Sequence, residues 1–232
     1  MANKKHAIIV AGGSGSRMNG QEPKQFLLIQ HIPMFLYAVK AFQSVITDIE
    51  IIIVVPSHYL DEAKMLLQQY LPKAKNIRFC KGGDKRFHSV ANGLKQLRDN
   101  QPGDLVAIHD AARPLVSSEL IQHAFDLAEE KGNAVPCISV NDSLRMVEDQ
   151  NNKALDRNQI VAVQTPQVFE ISSLTSAYAQ TYQPSFTDSA SIMESTGHKI
   201  HLFEGEKSNF KITTPLDFEF ASLILNTRYY IN

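Results

Sequence analysis

Apolar runs bounded by turn residues recur along the chain as HAIIVA (6–11), IEIIIVV (49–55), DLVAIH (104–109) and AVPCISV (134–140). They are rich in β-branched side chains and apolar at successive positions, which predicts strands buried on both faces. Between them the apolar period lengthens to that of a helix. Helices are predicted over Pro33 to Ser44, over 57–71 with Ser57 as N-cap, over 86–97, and over 117–132 with Gly132 as the stop. Alternating strands and helices imply a mostly parallel α/β sheet covered on both faces. Ligands of such sheets sit beyond the carboxyl ends of the strands, and two polar segments fall there: 11–24 and HDAARP at 109–114.

The pattern changes between Cys137 and Phe169. Residues around SLRMVEDQNNKALDRNQIVAVQTP alternate, predicting two antiparallel strands joined near Asn151 and Asn152, an arm rather than another strand–helix–strand unit. Beyond it we expect a helix over 172–180, a polar loop QPSFTDSAS (183–191), a strand KIHLFEG (199–205), and a last helix with Thr214 as N-cap and Pro215 at its first position.

A length of 232 residues fits one domain with an ample core, taken here as 1–232 with 137–169 as an arm. The 23 lysines and arginines against 24 acidic residues give a net charge of −1, so no general basic field marks a nucleic-acid binder. Cys80 and Cys137 lack metal-ligand spacing and read as apolar thiols in a reducing cytoplasm. The apolar run near the N-terminus is shorter than a signal core, and no stretch reaches membrane-spanning length.

Candidate chemistry concentrates in AGGSGSRMNGQEPK (11–24). Four glycines let backbone N–H groups approach an anion, and Arg17 and Lys24 suit a multiply charged one. The P-loop pattern is absent, and Met18 stands where a dinucleotide loop needs its third glycine. No acidic residue lies between Glu22 and Asp48 to take a ribose, so a nicotinamide cofactor is not expected. His109, with no second His or Cys at ligand spacing, reads as a packed strand residue, and so do His198 and His201, on opposite faces of their strand.

The segments AGGSGSRM…PKQF, GGDKRFHSVANGL, HDAARP, QTPQVF, TDSAS and NFKITTPLDF occur in the order found in the 2-C-methyl-D-erythritol 4-phosphate cytidylyltransferases, and the chain resembles that family over nearly its whole length. The resemblance implies a Rossmann-like fold of the nucleotide-diphospho-sugar transferase type. It also implies CMP transfer from CTP to a polyol phosphate with Mg2+ or another divalent cation, whose ligands stay open. It puts Ala11, Gly12, Gly13, Gly15, Arg17 and Lys24 around the triphosphate, and Gly83, Asp84, Arg86 and Ser89 around cytidine. Asp110, beside Arg113, could serve the ribose, the acceptor hydroxyls or a magnesium-bound water. Arg157, Thr165 and Thr187 match acceptor contacts, Ser143 is expected with them at the substrate, and Lys211 would contact the phosphates of both substrates. Ser143, Arg145 and Ser189 depart from the family's usual threonine, lysine and acidic residue. The resemblance further implies a homodimer that shares its active sites through the arm. The alternatives are a ribitol-5-phosphate cytidylyltransferase and a catalytically silent nucleotide-binding module, the latter disfavoured because Arg17, Lys24 and Lys211 are all retained.

Overall fold

The computed structural model describes residues 3–12, 23–98, 100–149 and 151–231. In chain order the elements are β1 (Lys5–Val10), β2 (Leu28–Ile29), β3 (Ile32–Pro33), α1 (Met34–Val45), β4 (Glu50–Val55), α2 (Leu60–Tyr70), β5 (Ile77–Lys81), α3 (Arg86–Leu94) and β6 (Leu105–Asp110). Then follow α4 (Ser118–Lys131), β7 (Asn133–Ser139), β8 (Leu144–Glu148), β9 (Asn151–Leu155), β10 (Val161–Val163), β11 (Gln167–Glu170), α5 (Ile171–Ala177), α6 (Ser189–Ser195), β12 (Leu202–Glu204) and α7 (Pro215–Ile231).

The main sheet runs β10-β7-β11-β6-β1-β4-β5, with β12 also on β7. β6, β1, β4 and β5 are parallel, whereas β11 lies antiparallel between β6 and β7. Alternate residues serve opposite faces. Ala7, Ile9, Ile51, Ile53 and Ala107 pack under α1, α2 and α4, while Ile8, Ile52, Val54, Val106 and Ile108 pack under α3, α5 and α6. Two covered faces explain the unbroken apolar runs, and each fully buried ring, such as Phe35 or Phe125, contributes roughly 1.5–3 kcal/mol. Register then fixes the site. Val10 stands opposite both Val54 and Asp110, so the carboxyl ends of β1, β4 and β6 finish level.

Two helix ends follow the expected chemistry. Ser117 Oγ accepts from Leu120 N–H at 3.0 Å, and α4 stops at Gly132, whose φ of 83° suits a residue without Cβ. At α7, Thr214 Oγ1 accepts from Asp217 N–H at 3.2 Å while Asp217 accepts from the N–H of Thr213 and Thr214, both at 2.8 Å.

Other expectations are corrected. Ser57 caps nothing: residues 57–59 form a 3₁₀ turn before α2, whose first N–H groups have no side-chain cap. Pro33 ends β3, and α1 starts one residue later. The segment 86–97 is helical only to Leu94. The 183–191 loop ends early, because the Asp188 side chain accepts from Ser191 N–H and starts α6 at Ser189. The strand expected over 199–205 is confined to 202–204, so His198 and His201 precede it. β5 and β11 are additional strands. The hairpin turns at Asp149, with φ 50°, and Asn151 and Asn152 already belong to β9. Within 137–169, β7, β10 and β11 belong to the main sheet, and β8 with β9 form a separate two-stranded sheet.

α3 carries one site loop and sits tightly on the sheet at Gly93, where a Cβ would lie 2.7 Å from Ile8 Cγ2 and 3.2 Å from Val54 Cγ2. Alanine adds about 1 kcal/mol of helix propensity, but overpacking against two β-branched strand residues costs about 1–3 kcal/mol. Gly93→Ala should therefore lower the urea-unfolding free energy by about 1 kcal/mol. A variant more stable than wild type by about 1 kcal/mol would show that this contact relaxes freely.

Candidate active site

At the ends of β1 and β4 the chain narrows to bare backbone. Ala11 N–H donates to Val54 O at 2.8 Å and Gly82 N–H to Val55 O at 2.8 Å, which brings the loop after β1 against the loop after β5. A Cβ on Gly12 or on Gly82 would come within 3.1 Å of Ser89 Oγ, and one on Gly83 within 2.4 Å of His88 Cβ. The closeness requires glycine at position 83, and at Gly12 and Gly82 it admits a Cβ only if Ser89 gives way. Ser89, 2 % exposed, accepts from Gly83 N–H at 3.1 Å, so its hydroxyl holds the loop that the sequence assigned to cytidine. Asp84 is exposed at that loop. Gly13, Gly15 and Arg17 lie outside the described residues. Lys24 follows them, half-buried, with Nζ donating to Ile212 O at 2.6 Å, and Gln25 Nε2 donates to Ala11 O at 2.5 Å.

The last residue of β6 gathers the cations. Asp110, 7 % exposed, accepts from Arg86 Nε at 3.0 Å on one oxygen and from Lys211 Nζ at 2.7 Å on the other. Burial pushes its carboxyl pKa up, but Arg86, Lys211 and Arg113 outweigh that and hold it well below the usual carboxylate range. Asp110 is thus a fixed anion. Burial also works against the charge on Arg86, and the Asp110 carboxylate reverses it, leaving the guanidinium pKa raised. Arg86 Nη2 is buried with no hydrogen-bond partner, and so is Nε of Arg113. A buried unpaired donor is costly, so both are groups that an anionic ligand would satisfy.

A layer of uncharged groups holds this cluster in place. Thr165 Oγ1 accepts from Asp110 N–H at 3.1 Å and lies 3.2 Å from His109 Nδ1, whose other ring nitrogen lies 3.2 Å from Arg113 O. Arg113 donates to Asn209 O at 2.7 Å, and Asn209 Nδ2 donates to Thr165 O at 2.9 Å. The peptide bond between Thr165 and Pro166 is cis. Lys211 is thereby joined to the end of β6 through its own chain, since Ile212 N–H donates to Ala112 O at 2.8 Å.

Of the residues expected at the site, Arg86, Asp110, Arg113, Thr165 and Lys211 come together here, and Gly12, Gly83 and Ser89 form the adjoining corner. Ser143 and Arg157 lie elsewhere, exposed on the arm, where Arg157 Nη1 donates to Asn141 O at 2.6 Å. Thr187 is exposed immediately before Asp188. Ser189, where the family is usually acidic, is wholly buried with its hydroxyl 2.9 Å from Tyr178 OH, so it presents nothing to solvent. Sequence reasoning missed Asn209, Gln164 and Gln167. All lie within quoted motifs, but a neutral amide carries no chemical signature on its own.

A parallel sheet that ends in bare glycine backbone, with cations gathered around one carboxylate, is the arrangement of an α/β nucleotidyltransferase. Similarity along the chain narrows the class. Residues 5–227 match the family described as IspD, 2-C-methyl-D-erythritol 4-phosphate cytidylyltransferase, and the chain belongs to it. It is 40% identical over 222 residues to the protein of that name from Bacteroides thetaiotaomicron, covering 96% of this chain and 100% of the relative. With the Porphyromonas gingivalis protein it shares 41% identity over 228 residues, 98% of this chain and 100% of the other. The solved 4-diphosphocytidyl-2C-methyl-D-erythritol synthase of Anaerococcus prevotii superposes with a TM-score of 0.81 at 28% identity, covering 97% and 96% of the two chains.

His109, completely buried, has its pKa pushed down to about 4, chiefly by burial. The unfolded chain therefore binds the extra proton between the ordinary value of 6.5 and about 4, and stability falls as pH drops through that window. Asp110, whose pKa is lowered, adds its own loss only below its unfolded value of 3.8. His109→Gln should flatten the dependence of the unfolding free energy on pH between about 6.5 and about 4. Some slope will remain, because burial also lowers the pKa of His6. A slope equal to that of wild type would mean that His109 titrates as an ordinary histidine.

Proposed function

We propose that the chain transfers CMP from CTP to 2-C-methyl-D-erythritol 4-phosphate, releasing pyrophosphate and 4-diphosphocytidyl-2-C-methyl-D-erythritol. The family match in register with the site residues carries this reading. In the reaction an oxygen of the acceptor phosphate attacks the α-phosphorus of CTP, and the α–β anhydride bond breaks toward pyrophosphate. A phosphate monoester is mostly dianionic near pH 7, so the attacking oxygen needs no general base, and the catalytic task is to position two anions and offset the charge that builds between them.

The family resemblance and, for the described residues, their positions support the following roles. Backbone N–H groups of the loop after β1, with Lys24 and Arg17, take the triphosphate. The loop 83–89 takes the nucleoside. Lys211, 41 % exposed on its side chain and anchored by Asp110, offers its charge between the two substrates. Asp110 holds Arg86 on one oxygen and Lys211 on the other. Among the described residues no three His, Cys, Asp or Glu side chains gather into a metal cage, and both Asp110 oxygens are already held by cations. The described residues thus offer no preformed cage of three such ligands. We propose that a divalent cation travels on the triphosphate oxygens, as Mg2+ commonly does.

We further propose a homodimer joined through the β8–β9 arm, in which Arg157 serves the partner's acceptor site. A two-stranded hairpin is marginal alone, and this one exposes Val147 and Met146. A cytoplasmic setting suits two cysteines that form no disulfide, the net charge of −1 argues against nucleic acid as a partner, and no helix among the described residues is long and apolar enough to cross a membrane.

A pyrophosphate-release assay tests both proposals. With CTP, 2-C-methyl-D-erythritol 4-phosphate should be turned over with higher kcat/KM than ribitol 5-phosphate, and the reverse order would contradict the acceptor. Lys24→Ala should lose about a hundredfold or more in kcat, and Arg157→Ala should also be nearly inactive. Mixed in equal amounts, the two variants should recover about a quarter of wild-type activity, because half the dimers are hybrids and each hybrid holds one intact site. No recovery, with subunit exchange shown by tags, would place both residues in the same chain's site.

A further inference from the structure

Gln167 is 1 % exposed and uses its whole amide. Its Oε1 accepts from the N–H groups of Ser189 and Ala190, both at 3.2 Å, while Nε2 donates to Asp188 Oδ2 at 2.7 Å and to Gln164 O at 3.4 Å. Asp188 in turn accepts from Ser191 N–H at 2.8 Å. One buried side chain thus fastens the end of the 183–188 loop and the first turn of α6 to the start of β11. The loop's other turns are closed on itself, by Phe186 N–H to Gln183 O and Thr187 N–H to Ser185 O, both at 3.0 Å.

The same strand start reaches the cation cluster. Thr165, two residues before Gln167, bonds the Asp110 N–H, and Gln164 holds the segment leading to Lys211 by donating to Glu206 O at 2.8 Å and accepting from Glu206 N–H at 3.1 Å. The Arg86 guanidinium feels the charges of both Asp110 and Asp188. The spacing between the Asp110 cluster and the exposed Thr187 is therefore set through residues 164–167.

We propose that Gln167 is a positioning residue for the acceptor: its four hydrogen bonds hold Thr187 and Asp188 at a fixed distance from the Asp110 cluster, and CTP binding does not depend on it. This rests on the reading above, in which Thr187 contacts the acceptor. A bound group displaced by about 1 Å can cost about a hundredfold in rate, so loosening this loop acts on one substrate selectively. Gln167 touches neither substrate.

Gln167→Met keeps the volume and removes the amide. Its KM for 2-C-methyl-D-erythritol 4-phosphate should rise about tenfold or more, while its KM for CTP stays within about twofold of wild type. Gln167→Glu alone sets two carboxylates together, and Asp188→Asn alone faces two amide donors. The pair Gln167→Glu with Asp188→Asn restores the hydrogen bond with its polarity reversed, and should recover most of the acceptor KM lost by either single variant. An unchanged acceptor KM in Gln167→Met would overturn the inference, and so would an equal loss for both substrates without recovery in the reversed pair, which is the mark of a general packing role. Thr187→Val separates the layers. If it raises the acceptor KM and Gln167→Met does not, the positioning fails and the acceptor site stands. Wild-type protein that does not turn over this acceptor would overturn function and positioning together.

Discussion

Everything at the site depends on keeping Asp110 ionised where water is largely excluded. Removing a carboxylate from water costs several kcal/mol, and only close opposite charges with good geometry offset that cost. Here each oxygen has its own cation, Arg86 from α3 and Lys211 from the segment before α7. The anion thus ties α3 and the segment before α7 to the end of β6. Its partners gain fixed directions in return, which is what a reaction between two anions requires.

The scaffold protects that arrangement by register and by neutral hydrogen bonds. Level strand ends at Val10, Val54 and Asp110 set the glycine corner beside the cluster. His109 stays uncharged under Phe42, with ring centroids 5.6 Å apart, so it holds Thr165 and Arg113 without adding a competing charge. Gln164, Thr165, Gln167 and Asn209 carry no charge either. Positive charge is left to Arg86, Arg113 and Lys211 around Asp110.

The sequence revealed the strands that are buried on both faces and little of the rest of the sheet. IRFCK in β5 carries Arg78 and Lys81 among its apolar side chains because it is the outer strand of the sheet, and QVFE in β11 is too short to show a period. β11 is placed by its partners β6 and β7, a choice made by tertiary pairing and not by local preference. Likewise the residue types at the site were readable, since glycines, Arg86, Asp110 and Lys211 carry chemistry on their faces. Their pairing was not, because Asp110 meets partners 24 and 101 residues away. Ser89 shows the converse: its hydroxyl looked available at a helix start, yet the fold turns it inward to hold Gly83.

The central claim is that Asp110 is a permanent anion held by three cations, and a carboxyl carbon-13 NMR titration reads it directly, with Asp110→Asn assigning the resonance. The account predicts that this carboxylate stays ionised after the other aspartates have taken up protons, down to the pH at which the protein unfolds. A midpoint near the ordinary aspartate value of about 3.9 in the folded protein would contradict it.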